Sequence, residues 1–190
     1  MTKQHLRQLY LAKRQQLNDA EYKGLNQKLL QQFQQLDLTG VNCIHLFLPI
    51  RERREPDTYL IRDWLKVEHP HIKIVFPKTD FKTLTMESYA DDADLQLAVN
   101  AYGITEPVNG NEVPADQINM VILPLLAFHT KGYRVGYGKG FYDRFVAQCK
   151  PGIQLIGLSL FDAVDGIDDI NEYDLRMHDC ITPDKIWHWR

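Results

Sequence analysis

The run Met120-Val121-Ile122-Leu123, which ends at Pro124, decides the fold class of this 190-residue sequence. A strand that is apolar on both faces is typical of a parallel sheet covered by helices on each side. Proline lacks an N–H donor, so a proline after an apolar run predicts the end of a strand. Further strands are predicted at Cys43 to Leu48, Ile72 to Phe76, Leu84 to Tyr89 and Ile153 to Leu160, the first two each ending at a proline.

Helical patterns lie between these strands. Apolar residues at helical spacing run from Leu6 to Leu17, and Asn18 offers the N-cap of a second helix predicted to end near Thr39-Gly40. Pro56 suits the first position of a third helix, and Gly140 opens a fourth. The alternation of helices with continuous apolar strands favours an α/β fold with layers around a central sheet.

The length of the chain favours one domain with room for a hydrophobic core. No internal repeat or linker is visible, and we therefore expect residues 1–190 to form a single domain. One stretch, from Asn100 to Asp116, is rich in Gly, Pro and Asn and is predicted to be a loop.

Charge and cysteine content exclude some classes of protein. The net charge of −3 argues against a nucleic-acid-binding surface. Cys43, Cys149 and Cys180 are far apart, with no C-x-x-C pair, which is typical of reduced thiols and not of a disulfide framework or a zinc site. The N-terminal residues lack the apolar stretch of a signal peptide, and no apolar run approaches the ~18 residues of a membrane span. We expect a cytoplasmic protein.

The segment from Lys131 to Arg144 carries the clearest chemical signal. Gly136, Gly138 and Gly140 stand at every second position, which lets backbone N–H groups approach an anion closely. The loop leads into a predicted helix, whose first N–H groups favour negative charge. Its cations are Lys131, Arg134, Lys139 and Arg144. Together these features predict a site for a triphosphate.

A flexible surface loop with incidental lysines is the plainer interpretation, because glycine-rich motifs have many false positives. Two better-known phosphate loops are excluded by spacing. The P-loop needs a hydroxyl residue directly after its lysine, whereas Lys139 is followed by Gly140. The dinucleotide fingerprint G-x-G-x-x-G directly follows a strand, whereas these glycines are evenly spaced and lie well past Pro124.

Several segments match one known family. The specific ones are Leu123 to Phe128, Gly132 and Arg134 to Arg144. Weaker ones are a basic first helix (Lys3, Arg7, Tyr10, Lys13-Arg14), an acidic motif (Glu55-Pro56-Asp57-Thr58), a middle loop (Gly103 to Pro107) and a late acidic element (His178-Asp179). In this order, across nearly the whole chain, they resemble the 5-formyltetrahydrofolate cyclo-ligases, also called methenyltetrahydrofolate synthetases. Three positions depart from the family's usual residues: Leu125 replaces glycine, His129 replaces aspartate and Tyr137 replaces arginine.

The resemblance implies a three-layer, single α/β domain with a central, mainly parallel sheet flanked by helices. It implies a ligase that uses ATP and Mg²⁺ to convert 5-formyltetrahydrofolate to 5,10-methenyltetrahydrofolate. ADP and phosphate would be released through a phosphorylated formyl intermediate. The implied partners are two small molecules, ATP and a reduced formyl-folate, with no nucleic acid, no membrane and no obligate protein partner.

The resemblance also implies roles for individual residues. ATP would bind Lys3, Arg7, Arg134, Val135, Gly136, Tyr137, Gly138, Lys139, Gly140, Phe141 and Tyr142. The folate would bind Leu48, Glu55, Tyr137, Gly138, Lys139, Gly140 and Phe141. Lys139 and Arg134 would be catalytic, and Asp143 and Asp179 would hold magnesium.

The residues by themselves leave plainer alternatives open. Lys3 and Arg7 lie one helical turn apart and suit a solvated helix face. Asp143 could pair with Arg144, and Asp179 could be an ordinary loop acid. Glu55 could form a surface ion pair with a neighbouring arginine.

Two other functions compete with the cyclo-ligase hypothesis. One is another small-molecule kinase or ligase that shares the nucleotide loop, and the other is a non-catalytic folate- or RNA-binding relative. Net acidity and the lack of interleaved aromatic and basic residues argue against RNA. The intact set of Arg134, Lys139 and Asp143 argues against a non-catalytic binder.

Overall fold

A computed structural model describes residues 1–101 and 103–189. The helices are α1 (Lys3–Gln16), α2 (Asp19–Phe33), α3 (Thr58–Glu68) and α4 (Phe141–Val146). The strands are β1 (Cys43–His45), β2 (Lys73–Asp80), β3 (Thr85–Ala90), β4 (Gln96–Val99), β5 (Thr105–Asn109), β6 (Met120–Pro124), β7 (Ala127–Phe128), β8 (Arg134–Val135), β9 (Gln154–Leu158), β10 (Asp179–Ile181) and β11 (Ile186–His188). None of the helices in this part of the chain has both the length and the apolarity needed to cross a membrane.

Seven of these strands form one sheet in the order β11-β10-β9-β6-β1-β2-β3. The five inner strands are parallel, and the two edge strands, β3 and β11, pair antiparallel with their neighbours. The pairs β4–β5 and β7–β8 form two small separate sheets. The prediction of an α/β fold with a mainly parallel central sheet is confirmed.

The core lies on both faces of the sheet. On one face, Met120 and Ile122 pack in a cluster with residues of α2 and α3. On the other face, Val121 and Leu123 pack with Phe145 of α4. Successive side chains of a strand point to opposite faces, and here both faces are covered, which explains why β6 shows no polar alternation.

Two helix boundaries differ from the sequence prediction. The N-cap at Asn18 is confirmed, because its side chain and that of Glu21 form a reciprocal capping box. However, α2 ends at Phe33 and not near Thr39-Gly40, since the chain continues in turns whose apolar residues still pack on the core. The third helix begins at Thr58 and not at Pro56, because the Asp57 side chain accepts the Tyr59 N–H and caps it.

Both strands predicted to end at a proline end elsewhere. The first ends at His45 and not at Leu48. The second strand does not end before Pro77 but continues to Asp80. It pairs with β1 only as far as Val75, so Pro77 has a neighbouring strand on one side only, where proline is tolerated.

The predicted loop from Asn100 to Asp116 contains a strand, β5, which pairs with β4. Gly103 has a φ of 74° and lies in the connecting turn, so the glycine marks that turn and not a long loop. Tyr102 of the predicted loop, like Arg190 at the end of the predicted domain, lies outside the described residues.

Candidate functional site

A cavity of about 640 Å³ opens where the parallel strands end. Leu48 follows β1 at this edge, Pro77 and Thr79 belong to the last part of β2, and Pro124 ends β6. In open α/β sheets, ligands bind at the carboxyl ends of the strands. The remaining walls come from α1, the glycine loop, β3 and β5.

The glycine loop approaches the first helix closely. The Arg7 Nε donates a 2.8 Å hydrogen bond to the Gly136 carbonyl. Gly138 has a φ of 87°, and a Cβ atom there would lie 3.0 Å from the Arg7 guanidinium carbon. The backbone conformation therefore favours glycine at this position, and a Cβ atom would also crowd the Arg7 side chain. Helix α4 follows directly, with Gly140 as its N-cap.

Five cations line the cavity, and two of them come from the first helix. Lys3 is paired with Asp174 at 2.5 Å, and Arg134 is paired with Asp143 at 3.1 Å. Lys139 is exposed, and no carboxylate in the described part of the chain forms an ion pair with it. The other two are Arg7 and Arg53.

The cation cluster predicted around the loop is thus partly wrong. Lys131 does not line the cavity, and its side chain is exposed. Arg144 donates to the Leu84 carbonyl at 2.9 Å and to the Lys139 carbonyl at 2.6 Å, so it holds the loop from outside the cavity. Lys3 and Arg7 supply the charge in their place, because α1 packs against β7 and β8. The alternative that Lys3 and Arg7 belong to a solvated helix face is therefore excluded.

Glu55 also lines the cavity and is buried, with only 3% of its surface exposed. One carboxylate oxygen accepts the Ile50 N–H at 2.7 Å, and the other accepts the Tyr137 hydroxyl at 2.5 Å. Burial raises the pKa of Glu55, whereas these two hydrogen bonds and the charge of Arg14 oppose that rise. The alternative of a surface ion pair between Glu55 and a neighbouring arginine is therefore wrong. Arg54 pairs with Asp19 instead.

Arg14 also belongs to this network, although sequence reasoning named it only as part of the basic first helix and gave it no role. Its side chain is 1% exposed and donates to the Leu125 carbonyl and, at 3.3 Å, to the Tyr137 hydroxyl. A signal was available, because Arg14 follows Leu6 and Tyr10 at intervals of four, on the buried face of α1. An arginine on an apolar stripe predicts a buried partner.

The three departures from the family's usual residues have local explanations. Tyr137 bonds to Glu55, as described. The His129 Nδ1 accepts the Lys131 N–H at 2.9 Å, as a carboxylate in the same turn would. The Leu125 side chain lies over Gly157, where an added Cβ atom would be 2.7 Å from a Leu125 methyl group.

The two acids predicted to hold magnesium are not brought together. Asp143 lines the cavity, and its partner is Arg134 and not Arg144. Asp179 does not line the cavity and lies 2.6 Å from the His188 Nδ1. It is the first residue of β10, which runs parallel to β9, whereas the cavity lies where the parallel strands end. Among residues 1–101 and 103–189, no group of three or more potential metal ligands is assembled.

Most of the other predicted site residues do meet in this cavity. Its lining includes Lys3, Arg7, Leu48, Glu55, Arg134, Gly136, Tyr137, Gly138, Lys139, Gly140, Phe141, Tyr142 and Asp143. Val135 does not line the cavity, because its side chain is fully buried beside Leu6 and Tyr10. Lining residues to which sequence reasoning gave no role include Phe81, Met86 and Asp174. Thr105 and Glu106 of β5 also line the cavity, although the sequence placed them only in the family's middle loop and gave them no role.

Comparisons with known proteins agree with this arrangement. The sequence matches the 5-formyltetrahydrofolate cyclo-ligase family over residues 1–183. It is 30% identical to a 5-formyltetrahydrofolate cyclo-ligase of Mycoplasma genitalium over 182 residues, which cover 94% of this chain and 97% of that protein. A corresponding match to the Escherichia coli protein is 31% identical and covers 50% of this chain and 53% of that protein.

The solved structures that resemble this fold include two methenyltetrahydrofolate synthetases. The Aquifex aeolicus protein superposes with a TM-score of 0.81 at 27% identity, covering all of this chain (100%) and 94% of that one. The Mycoplasma pneumoniae protein superposes with a TM-score of 0.76 at 25% identity, covering 96% and 99%. The resemblance inferred from the glycine loop is confirmed, and the chain belongs to the 5-formyltetrahydrofolate cyclo-ligase family of enzymes.

Proposed function

We propose that the protein uses ATP to close 5-formyltetrahydrofolate into 5,10-methenyltetrahydrofolate, with release of ADP and phosphate. The observation that carries the proposal is one cavity lined by two kinds of polar group. A cationic glycine loop and a buried carboxylate, Glu55, both line it. A reaction in which a nucleotide phosphorylates a folate needs both kinds of group in one place.

The glycine loop suits a triphosphate. Gly136, Gly138 and Gly140 leave the backbone accessible, and Arg7 holds the loop against the first helix. Lys139 has no carboxylate partner in the described part of the chain, so its charge is available to a phosphate. Arg134 also lines the cavity. We assign the neutralisation of transferred phosphoryl charge to Lys139 and Arg134.

The part of the lining around Glu55 suits the pterin ring of the folate. Glu55 already accepts one protein donor on each oxygen, and each oxygen can accept a second bond. A pterin offers adjacent N–H donors that suit such a carboxylate. Leu48 and Tyr137 line the same region and would pack against the ring.

The need for ATP follows from the chemistry of the formyl group. Its amide-like oxygen is a poor leaving group. Transfer of the γ-phosphoryl to that oxygen, with release of ADP, produces a phosphorylated formyl intermediate. The neighbouring N10 then attacks the formyl carbon, the ring closes, the N10 proton is lost and inorganic phosphate leaves. No protein nucleophile is required, so the protein positions the reactants and stabilises charge.

The proposal assigns magnesium to a single acid of the cavity. Mg²⁺ in nucleotide sites is usually held by one or two carboxylates together with phosphates and water. Asp143 is the carboxylate that stands on the glycine loop side, beside Arg134. When bound, the ion would neutralise phosphate charge. The proposal further includes a cytoplasmic location and small molecules as the only required partners.

One optical assay tests the proposed reaction. Protein, 5-formyltetrahydrofolate, ATP and magnesium are mixed, and the absorbance of the methenyl product is followed. We expect product only when all components are present. Release of ADP without the methenyl product would point to another acceptor and so to a different kinase or ligase. Binding of the folate with neither product would identify a non-catalytic binder.

A further inference from the structure

Four carboxylates line the cavity, and they differ in how they are bonded. Glu55 accepts hydrogen bonds from Ile50 and Tyr137. Asp143 is paired with Arg134, and Asp174 is paired with Lys3. The fourth is Glu106, whose Oε2 is buried and has no hydrogen-bond partner in the described part of the chain.

Glu106 is held at this place by regular structure. It lies in β5 opposite Ala98 of β4, and β5 packs against β2 of the main sheet. The preceding residues Ile104 and Thr105 also line the cavity, and the following residue, Pro107, is buried. The side chain is thus placed by a paired strand and not by a long loop.

A buried carboxylate oxygen without a donor is costly, and such groups are rare unless a ligand satisfies them. The missing partner must be a donor, because a carboxylate accepts hydrogen bonds and repels phosphate oxygens. The phosphate-binding cations come from α1 and the glycine loop, whereas Glu106 comes from the wall formed by β2, β3 and β5. That wall also contains the apolar side chains of Pro77, Phe81 and Met86.

We propose that Glu106 accepts a hydrogen bond from a ring N–H of the bound reduced folate and is a specificity-determining residue for that substrate. The inference rests on the proposed function. A tetrahydropteridine carries donors at its 2-amino group, N3 and N8, more than the oxygens of Glu55 alone can accept alongside their protein donors. The adenine amino group of ATP is the other source of an N–H donor, and the experiment separates the two.

The test compares Glu106→Gln with Glu112→Gln. Glu112 is exposed and lies outside the cavity, and its substitution by Gln removes the same charge, so this variant is a matched control. Calorimetric titrations with 5-formyltetrahydrofolate alone and with ATP alone measure the two affinities. We expect Glu106→Gln to weaken folate binding roughly tenfold or more, because an amide N–H₂ would face the substrate donor. ATP affinity should stay within about twofold, and Glu112→Gln should leave both unchanged.

Thermal unfolding of the unliganded variants provides a second readout. An uncharged amide is easier to bury than a carboxylate, so Glu106→Gln should unfold at the same temperature as the wild type or higher. A structural role would instead lower both stability and affinity. Gln has the shape of Glu, and the variant therefore remains informative where Glu106→Ala fails to fold.

Unchanged folate affinity in Glu106→Gln would overturn the inference, and so would a loss confined to ATP, which would place the donor on the nucleotide. Reduced stability together with equal losses for both ligands would also overturn it, in favour of a structural role. These outcomes are independent of the wild-type turnover assay. If the wild type forms the methenyl product and Glu106→Gln binds folate normally, only the role of Glu106 fails.

Discussion

Two polar groups that line the cavity, the buried Glu55 and the exposed Lys139, are held in opposite ways. Glu55 and Tyr137 are bonded to each other and supported by the buried Arg14. Lys139, between two glycines, is exposed and has no carboxylate partner in the described part of the chain. The network around Glu55 is therefore organised before any ligand arrives, whereas Lys139 has a charge that a ligand can engage. Four substitutions test this difference, in order of decreasing effect.

Lys139→Ala should give the largest loss of turnover. Removing one well-placed donor to transition-state charge commonly lowers the rate by about 10²–10³. Because the side chain is exposed, the unfolding temperature should change little. Steady-state kinetics and thermal unfolding check both parts. Lys131→Ala, in the same segment but outside the cavity, is the control. Wild-type turnover in Lys139→Ala would remove Lys139 from the γ-phosphate site.

Glu55→Gln should weaken folate binding while ATP binding changes little. An unsatisfied donor of the bound ring costs about 1–3 kcal/mol, which is about 5- to 150-fold in affinity. Separate calorimetric titrations with the two ligands measure this. Glu52→Gln, which is exposed in the same segment, controls for loss of charge. Equal losses for ATP and folate, or no loss for folate, would place Glu55 outside the pterin site.

Asp143→Asn should raise the magnesium concentration needed for half-maximal activity by about tenfold, or about 1.4 kcal/mol in free energy. Asparagine keeps the shape of the side chain and removes its charge. Asp179→Asn should leave the magnesium titration unchanged, because Asp179 lies outside the cavity and contacts His188. The same shift in both variants would restore the two-acid magnesium site that the sequence predicts.

Tyr137→Phe should have the smallest effect and should appear mainly in stability. It removes the hydroxyl that donates to Glu55 and accepts from Arg14, at a cost of about 1 kcal/mol in the free energy of unfolding. Denaturant unfolding measures it, with Tyr173→Phe as the control because Tyr173 is 79% exposed. Unchanged stability would mean that the two charged residues need no bridge between them.

Sequence reasoning worked best where one segment contains its own signal. The strand Met120–Pro124 is apolar throughout, the Asn18 cap has its glutamate partner three residues on, and the glycine loop is contiguous. It was weaker at boundaries. Pro77 was predicted to end a strand that continues past it, and the stretch around Gly103 was predicted to be a loop although it forms a hairpin. In both cases a neighbouring strand overrides the local preference.

The candidate site shows the same division. The cyclo-ligase family, the glycine loop and the candidate residues Lys3, Arg7, Glu55, Lys139 and Asp143 follow from the sequence, whereas the prediction of one domain over residues 1–190 stays a prediction. The ion-pair partners could not be predicted from the sequence. Asp143 pairs with Arg134 and not with Arg144, and Asp179 lies away from the cavity.

The sequence by itself determined the fold class and the chemistry of the loop, because apolar periodicity and glycine spacing are local properties of the chain. Only the tertiary structure decided which charges meet. Arg14 reaches Tyr137 across 123 positions, and Tyr137 reaches Glu55 across 82. Such pairs form because a buried charged or polar group must find a partner within hydrogen-bond distance, wherever in the chain that partner lies.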